Sequence, residues 1–157
     1  MPVQVDKWAA TPWKHENVGP TNVSSITCLI ELDGKSALFT GDADPVVVIE
    51  AWKRLEKERG KMRLDLLKLN HHGSRKNCSP ALLQTLRPKR VLISSDGSYY
   101  GHPEKEALSY VIKHVPGVEL IFNYDNEYSQ PWTDVAAQSK WGYTAKAAGA
   151  IGVVVQL

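Results

Sequence analysis

A chain of 157 residues with 43% apolar and 23% charged residues has the size and composition of one soluble globular domain, with room for a sizeable core or for a piece of a larger one. The net charge of +2 neither demands nor excludes a nucleic-acid partner. No apolar run approaches the roughly 20 residues of a membrane-spanning helix. The N-terminus lacks a secretory pattern. Cys28 and Cys78 suggest no disulfide framework, and cytoplasm is the expected compartment.

Residues 1–20 are polar and proline-punctuated, with Trp8, Trp13 and His15 scattered through them, and read as a loosely patterned lead-in with room for one edge strand. From 25 to 32 the pattern alternates, placing Ile26, Cys28, Ile30 and Leu32 on one face of a strand. Asp33-Gly34 is a hairpin turn signal, and residues 35–40 return as a second strand ending in Thr40-Gly41-Asp42-Ala43-Asp44. Asp44 suits an N-cap and Pro45 a first helical residue. Val48, Trp52 and Leu55 then fall at helical spacing opposite a charged, solvated face, and Gly60 closes the helix. Residues 64–69 are a short, largely apolar run expected to form a buried strand. It ends in Asn70-His71-His72-Gly73-Ser74, the densest chemistry in the chain.

Ser79 and Pro80 start another helix, expected over 81–86 and stopped before Pro88. Residues 91–95 read as a buried strand, and the loop after it carries Tyr99-Tyr100-Gly101-His102-Pro103. Pro103 is expected to start a helix that Pro116-Gly117 ends, followed by a strand over 118–122. Residues 125–140 read as loop or short helix and 150–157 as a closing strand. Strands alternating with helices at this spacing predict an α/β layer with at least partly parallel strands and no repeats.

Three successive strands thus end in polar turns holding Asp42, His71 with His72, and His102. If the strands are neighbours of one direction, their carboxyl edge gathers these groups where α/β sheets place ligands. A carboxylate and imidazoles suit Zn²⁺ or, with more oxygen donors, Mn²⁺ or Fe²⁺. Each also has an ordinary structural reading: Asp42 as a carboxylate satisfying amides at the start of the Pro45 helix, His71 and His72 as loop residues, one solvated and one capping the next helix, and His102 as a loop residue bonded to a carbonyl.

Asn22-Val23-Ser24-Ser25, Thr40-Gly41-Asp42-Ala43, Asn70-His71-His72-Gly73-Ser74 and Tyr100-Gly101-His102-Pro103, in this order, resemble the later motifs of the metallo-β-lactamase-fold hydrolases. The branch most similar is the soluble domain of ComEC-type DNA-uptake channels and its stand-alone relatives. Tyr143-Thr144 with Gly149-Ala150-Ile151 is similar to that branch's closing strand.

The resemblance implies half of an αββα sandwich, a mixed sheet with helices packed on it, as a single domain over 1–157. It implies Asp42 as a metal-bridging aspartate and one of His71 and His72 as a ligand, His71 being favoured because it lies nearer the strand. His102 would stand behind the ligands or face the scissile group. Asn22 and Ser24 lie where many relatives place another ligand histidine, and Ser74 belongs with them around ligands or substrate. The implied cofactor is a divalent metal, zinc with manganese or iron as alternatives, with a hydroxide between two cations as nucleophile.

The family's His-x-His-x-Asp-His motif is absent from this chain. Its absence predicts a C-terminal half, a fragment or a degenerate relative, without a full two-metal site of its own. Two functions are therefore expected in competition. One is part of a hydrolase of nucleic-acid phosphodiesters, with lactones or other esters as the second substrate class, completed by an N-terminal half. The other is a non-catalytic interaction or oligomerisation module. In both, a partner or a second copy covers the exposed sheet.

Overall fold

Asp33 and Gly34, both in left-handed backbone (φ 49° and 72°), fold the chain into the expected hairpin of β1 (Cys28–Leu32) and β2 (Lys35–Phe39). The computed structural model describes residues 2–16, 19–149 and 152–157. From β2 onward every strand is parallel to its predecessor: β3 (Leu66–Lys68), β4 (Arg90–Ile93), β5 (Glu119–Phe122) and β6 (Thr144–Ala147), in the sheet order β1-β2-β3-β4-β5-β6. The protein is mixed α/β, with one antiparallel pair at the edge of a parallel sheet. The helices are α1 (Val5–Ala9), α2 (Pro20–Val23), α3 (Pro45–Arg59), α4 (Pro80–Leu86), α5 (Lys105–His114), α6 (Gln130–Thr133) and α7 (Val135–Trp141). No helix among the described residues is long and apolar enough to cross a membrane.

A monotonic strand order has a consequence. Parallel crossovers are right-handed, so in a sheet that never reverses its winding they all fall on one face. Register and burial agree. Leu38, Leu67, Val91 and Leu120 form one row across the sheet and pack in the core with Val48 and Trp52 of α3, Leu82 and Leu86 of α4, and Leu108 and Val111 of α5. The adjacent rows point the other way. They carry Cys28, Ile30, Leu32, Ala37, Phe39, Leu66, Leu92 and Ile121, none of which belongs to the helix-packed core. On β4–β6 this second face holds the ion pairs of Glu119 with Arg90 (2.9 Å) and Lys146 (2.7 Å), and Arg90 also donates to the Gln156 carbonyl of the C-terminal tail. On β1 and β2 it is apolar and open: Leu32 is 71% exposed, and Ile30 and Phe39 are exposed with it.

Three expectations need correction. The described residues of 1–20 hold no strand; Val3 and Val5 are buried in the core and α1 packs on α5. Tryptophan and tyrosine donors secure the segment: Trp141 Nε1 to the Val3 carbonyl (3.3 Å), Tyr110 Oη to that of Thr11 (2.7 Å) and Trp13 Nε1 to that of Arg75 (3.1 Å). Pro103 does not begin α5, which starts two residues later at Lys105. The closing strand is β6 rather than 150–157: Ala150 and Ile151 lie outside the described residues, and 152–157 contribute only the Gly149–Gly152 bridge.

Candidate functional site

The site edge begins where β2 ends. Thr40 is fully buried and donates to the Lys68 carbonyl (3.2 Å) and to Asn70 Oδ1 (2.8 Å), locking the ends of β2 and β3 together. Gly41 follows at φ 54°, with the Ser25 side chain so close that a Cβ there would meet it at 3.2 Å. Ser25 Oγ accepts from the Asp42 amide (3.1 Å). The helix-capping alternative for Asp42 fails, because Asp44 does that work: its Oδ1 accepts from Val46 N (2.8 Å) and its Oδ2 pairs with His15 (2.8 Å). The Asp42 carboxylate accepts no hydrogen bond from any described residue, and its field falls on Lys68 and His102. Lys68 lies on the open sheet face, where burial pulls its ammonium below the usual lysine range and Asp42 opposes the shift.

After β3 the chain makes a tight turn over Asn70–Gly73 in which His71 (φ 44°, ψ 51°) and His72 (φ 55°, ψ 17°) are both left-handed. Such backbone costs about 1–3 kcal/mol per non-glycine residue and persists only where the surroundings fix it. Here His71 N donates to the Gly41 carbonyl (2.9 Å) and Ser74 N to that of His71 (2.9 Å). Asn77 clamps the two turns: its amide nitrogen donates to the carbonyls of Asp42 (2.9 Å) and Ala43 (3.3 Å), so its oxygen faces His71 Nδ1 (3.1 Å). His71 must then donate from Nδ1, which leaves the Nε2 lone pair free. His72 is set the same way, since the Ser94 carbonyl 2.6 Å from its Nδ1 can only accept. Both imidazoles thus present Nε2 as a metal-type or basic nitrogen.

The third turn closes onto the second. A Cβ at Gly73 (φ 90°) would sit 2.7 Å from Pro103 Cβ, so only glycine allows the His102-Pro103 loop this near. Glu104 fastens it, its Oε1 accepting from Arg75 N (2.8 Å) and Ser74 Oγ (3.2 Å). His102 lies with its ring centre 5.8 Å from that of His71, and its Nδ1 is buried without a hydrogen-bond partner. Burial holds its pKa below the usual histidine value against the pull of Glu104, with His71 and His72 adding to the depression.

Asp42, His71, His72 and His102 therefore share one sheet edge. Asn22 approaches His71 Nδ1 at 3.5 Å, too far for a strong bond. Ser24 is exposed and spends its hydroxyl on the Pro20 carbonyl of α2 (3.0 Å), while Ser74 is buried behind the histidines on Glu104. Among the described residues no three of His, Cys, Asp and Glu are grouped so as to hold a metal ion. The donors are of the right chemical kind, a free carboxylate and two Nε2 lone pairs, but they fall short of a closed set.

The chain is similar to ComE operon protein 3 of Bacillus subtilis (strain 168). The two are 30% identical over 94 residues, which are 59% of this chain and 12% of that protein, so the chain spans a small part of its relative's length. No family model and no solved structure matches the chain.

Two residues that position this site, Asn77 and Glu104, escape sequence reasoning, and Ser25 enters it only as part of the Asn22-Val23-Ser24-Ser25 motif, with no role assigned. Asn77 lies outside the metal-ligand residue types and Glu104 away from the strand ends. Asn77 carries the one available signal, a polar residue in the turn between the paired histidines and the Ser79-Pro80 helix start.

Proposed function

We propose that this chain is the C-terminal part of a metal-dependent hydrolase of nucleic-acid phosphodiesters with a competence-related role, and that a second segment seated on the open sheet face completes its site. The similarity to a ComE operon protein supports the role, and the motif resemblance supports the chemistry. The single observation that carries the proposal is the edge itself. A carboxylate that accepts no hydrogen bond from any described residue and two imidazoles with fixed tautomers stand at the ends of adjacent parallel strands, beside an apolar face that no residue of the helix-packed core covers. Proteins do not ordinarily leave an apolar sheet face open.

The donors present do not close a metal site, so hydrolysis belongs to the completed assembly and not to this chain alone. What this chain contributes there is positional. Asn77 and the Ser94 carbonyl hold two Nε2 atoms outward, the turn holds the Asp42 carboxylate, and Lys68 places a cation beneath it for an anionic substrate. A non-catalytic interaction module would share the docking face but would give Asp42 no role.

The test is to supply a polypeptide carrying His-x-His-x-Asp-His, in trans or as an extension of this chain. Bound metal and phosphodiester cleavage are expected to appear together. A complex that forms yet binds no metal and cleaves nothing would leave the interaction module in its place.

A further inference from the structure

Beside the histidines opens a recess of about 290 Å³, lined by His72, His102, Tyr99, Tyr100, Tyr124 and Asp96. Tyr99 is 85% and Tyr100 74% exposed, and Tyr124 is exposed as well. Large aromatic rings at such exposure on an ordered loop contribute nothing to the core.

The loop that displays them is built rigidly. Gly97 and Gly101, both at positive φ, lie against the Tyr128 ring, which a Cβ at Gly97 would meet at 2.3 Å. Asn126 donates to the Ser95 carbonyl (3.3 Å), and Ser98 donates to Asp96 Oδ1 from its amide (3.0 Å) and its hydroxyl (2.8 Å). The rings form a continuous file from solvent to the site. Tyr99 meets Tyr100 edge-on at 4.7 Å, Tyr100 lies nearly parallel to His102 (28°, 6.0 Å), and His102 reaches His71 at 5.8 Å.

We propose that Tyr99 and Tyr100, with Tyr124 in the same recess, are a stacking platform for an unpaired base of a single-stranded nucleic acid, which they position with its backbone toward His71, His72 and His102. This rests on the nucleic-acid reading above and adds to it a choice of strand state. Every base offers a π-face to an exposed phenol ring, whereas a base inside a duplex has both faces occupied. Pre-ordering of the loop removes most of the cost of arranging the rings on binding.

The experiment is fluorescence anisotropy of this chain with a labelled single strand of about 12 nucleotides, the same strand made abasic, and the corresponding duplex. The single strand is expected to bind tightest. The double variant Tyr99→Ala/Tyr100→Ala should weaken it about 10-fold or more, as expected for the loss of one stacked base, and Tyr99→Phe/Tyr100→Phe should restore it. The abasic strand should bind both proteins equally and weakly. Unchanged binding by the alanine variant, an abasic strand bound as tightly as the natural one, or no binding of the single strand would each overturn the platform. The readout is separate from hydrolysis. If a completed assembly cleaves nucleic acid while the alanine variant binds normally, the platform alone falls. If strand binding depends on the tyrosines and no assembly ever cleaves, the platform stands and the hydrolytic reading falls.

Discussion

The two faces of the sheet use the same kinds of residue to opposite ends. On one, Leu38, Leu67, Val91 and Leu120 are sealed beneath α3, α4 and α5. On the other, Ile30, Leu32 and Phe39 meet solvent on β1 and β2, while β4–β6 replace apolar residues with the Arg90–Glu119–Lys146 pairs. A sheet destined to face water would carry the polar pattern throughout. That β1 and β2 do not, directly beside the turn holding Asp42, separates the two faces: one holds the fold, and the other leaves apolar residues open next to the polar edge.

The sharpest contrast is in stability. Leu67→Ala, in the fully sealed row, should cost about 2–5 kcal/mol in urea unfolding, whereas Leu32→Ser on the open face should stay within about 0.5 kcal/mol. Leu32→Ser should at the same time reduce concentration-dependent association seen by light scattering, because it interrupts the exposed apolar patch. Equal destabilisation by the two would erase the distinction between the faces.

A smaller effect is expected with pH. Burial, first of all, holds His102 and His114 below the ordinary histidine value of 6.5, with opposition from Glu104 at His102 and reinforcement from Lys113 at His114. Below pH 6.5 the unfolded chain takes up protons that the folded chain refuses. Stability should therefore fall as pH drops from 6.5 through the depressed folded values, and recover on raising the pH. Urea midpoints measured at intervals between pH 7.5 and 5 check this, and His102→Gln should flatten the slope.

Thiol chemistry sharpens the comparison without altering stability. Cys28 lies exposed on the open face; Cys78 is sealed in the core, its thiol pushed up to about 12 by burial. One equivalent of an aromatic disulfide reagent should react in the folded protein and the second only on unfolding. When the completing segment binds, Cys28 should become protected as well.

Much of this was legible in the sequence where the signal is local. The Asp33-Gly34 hairpin and α3, with Asp44 as N-cap, Pro45 first and Gly60 last, follow from turn and cap chemistry that acts within a few residues. The shared edge of Asp42, His71, His72 and His102 followed from strand–turn alternation. The lead-in segment was not legible, because Val3 and Val5 have no periodicity of their own and are recruited by contact with the core. Nor was the clamp by Asn77 and Glu104, whose partners lie 29 to 35 residues away in sequence at Asp42 and Arg75. The closing strand was misplaced onto 150–157 because Thr144–Ala147 alternates half-buried with exposed residues and gives a weak apolar pattern, while the Val-rich tail gives a strong one.

The most direct test is metal content and turnover of the completed assembly, by elemental analysis and phosphodiester cleavage, for Asp42→Ala beside Asp44→Ala. The two carboxylates are neighbours in one turn, but Asp44 caps α3, whereas Asp42 accepts no hydrogen bond from any described residue. Asp42→Ala is predicted to lose metal and more than about 100-fold in turnover, beyond the 10–100-fold typical of groups that only support ligands. Asp44→Ala should cost about 1 kcal/mol of stability and keep its metal. An Asp42→Ala protein with undiminished metal and turnover would contradict the account and reduce the polar edge to a set of well-tied loops.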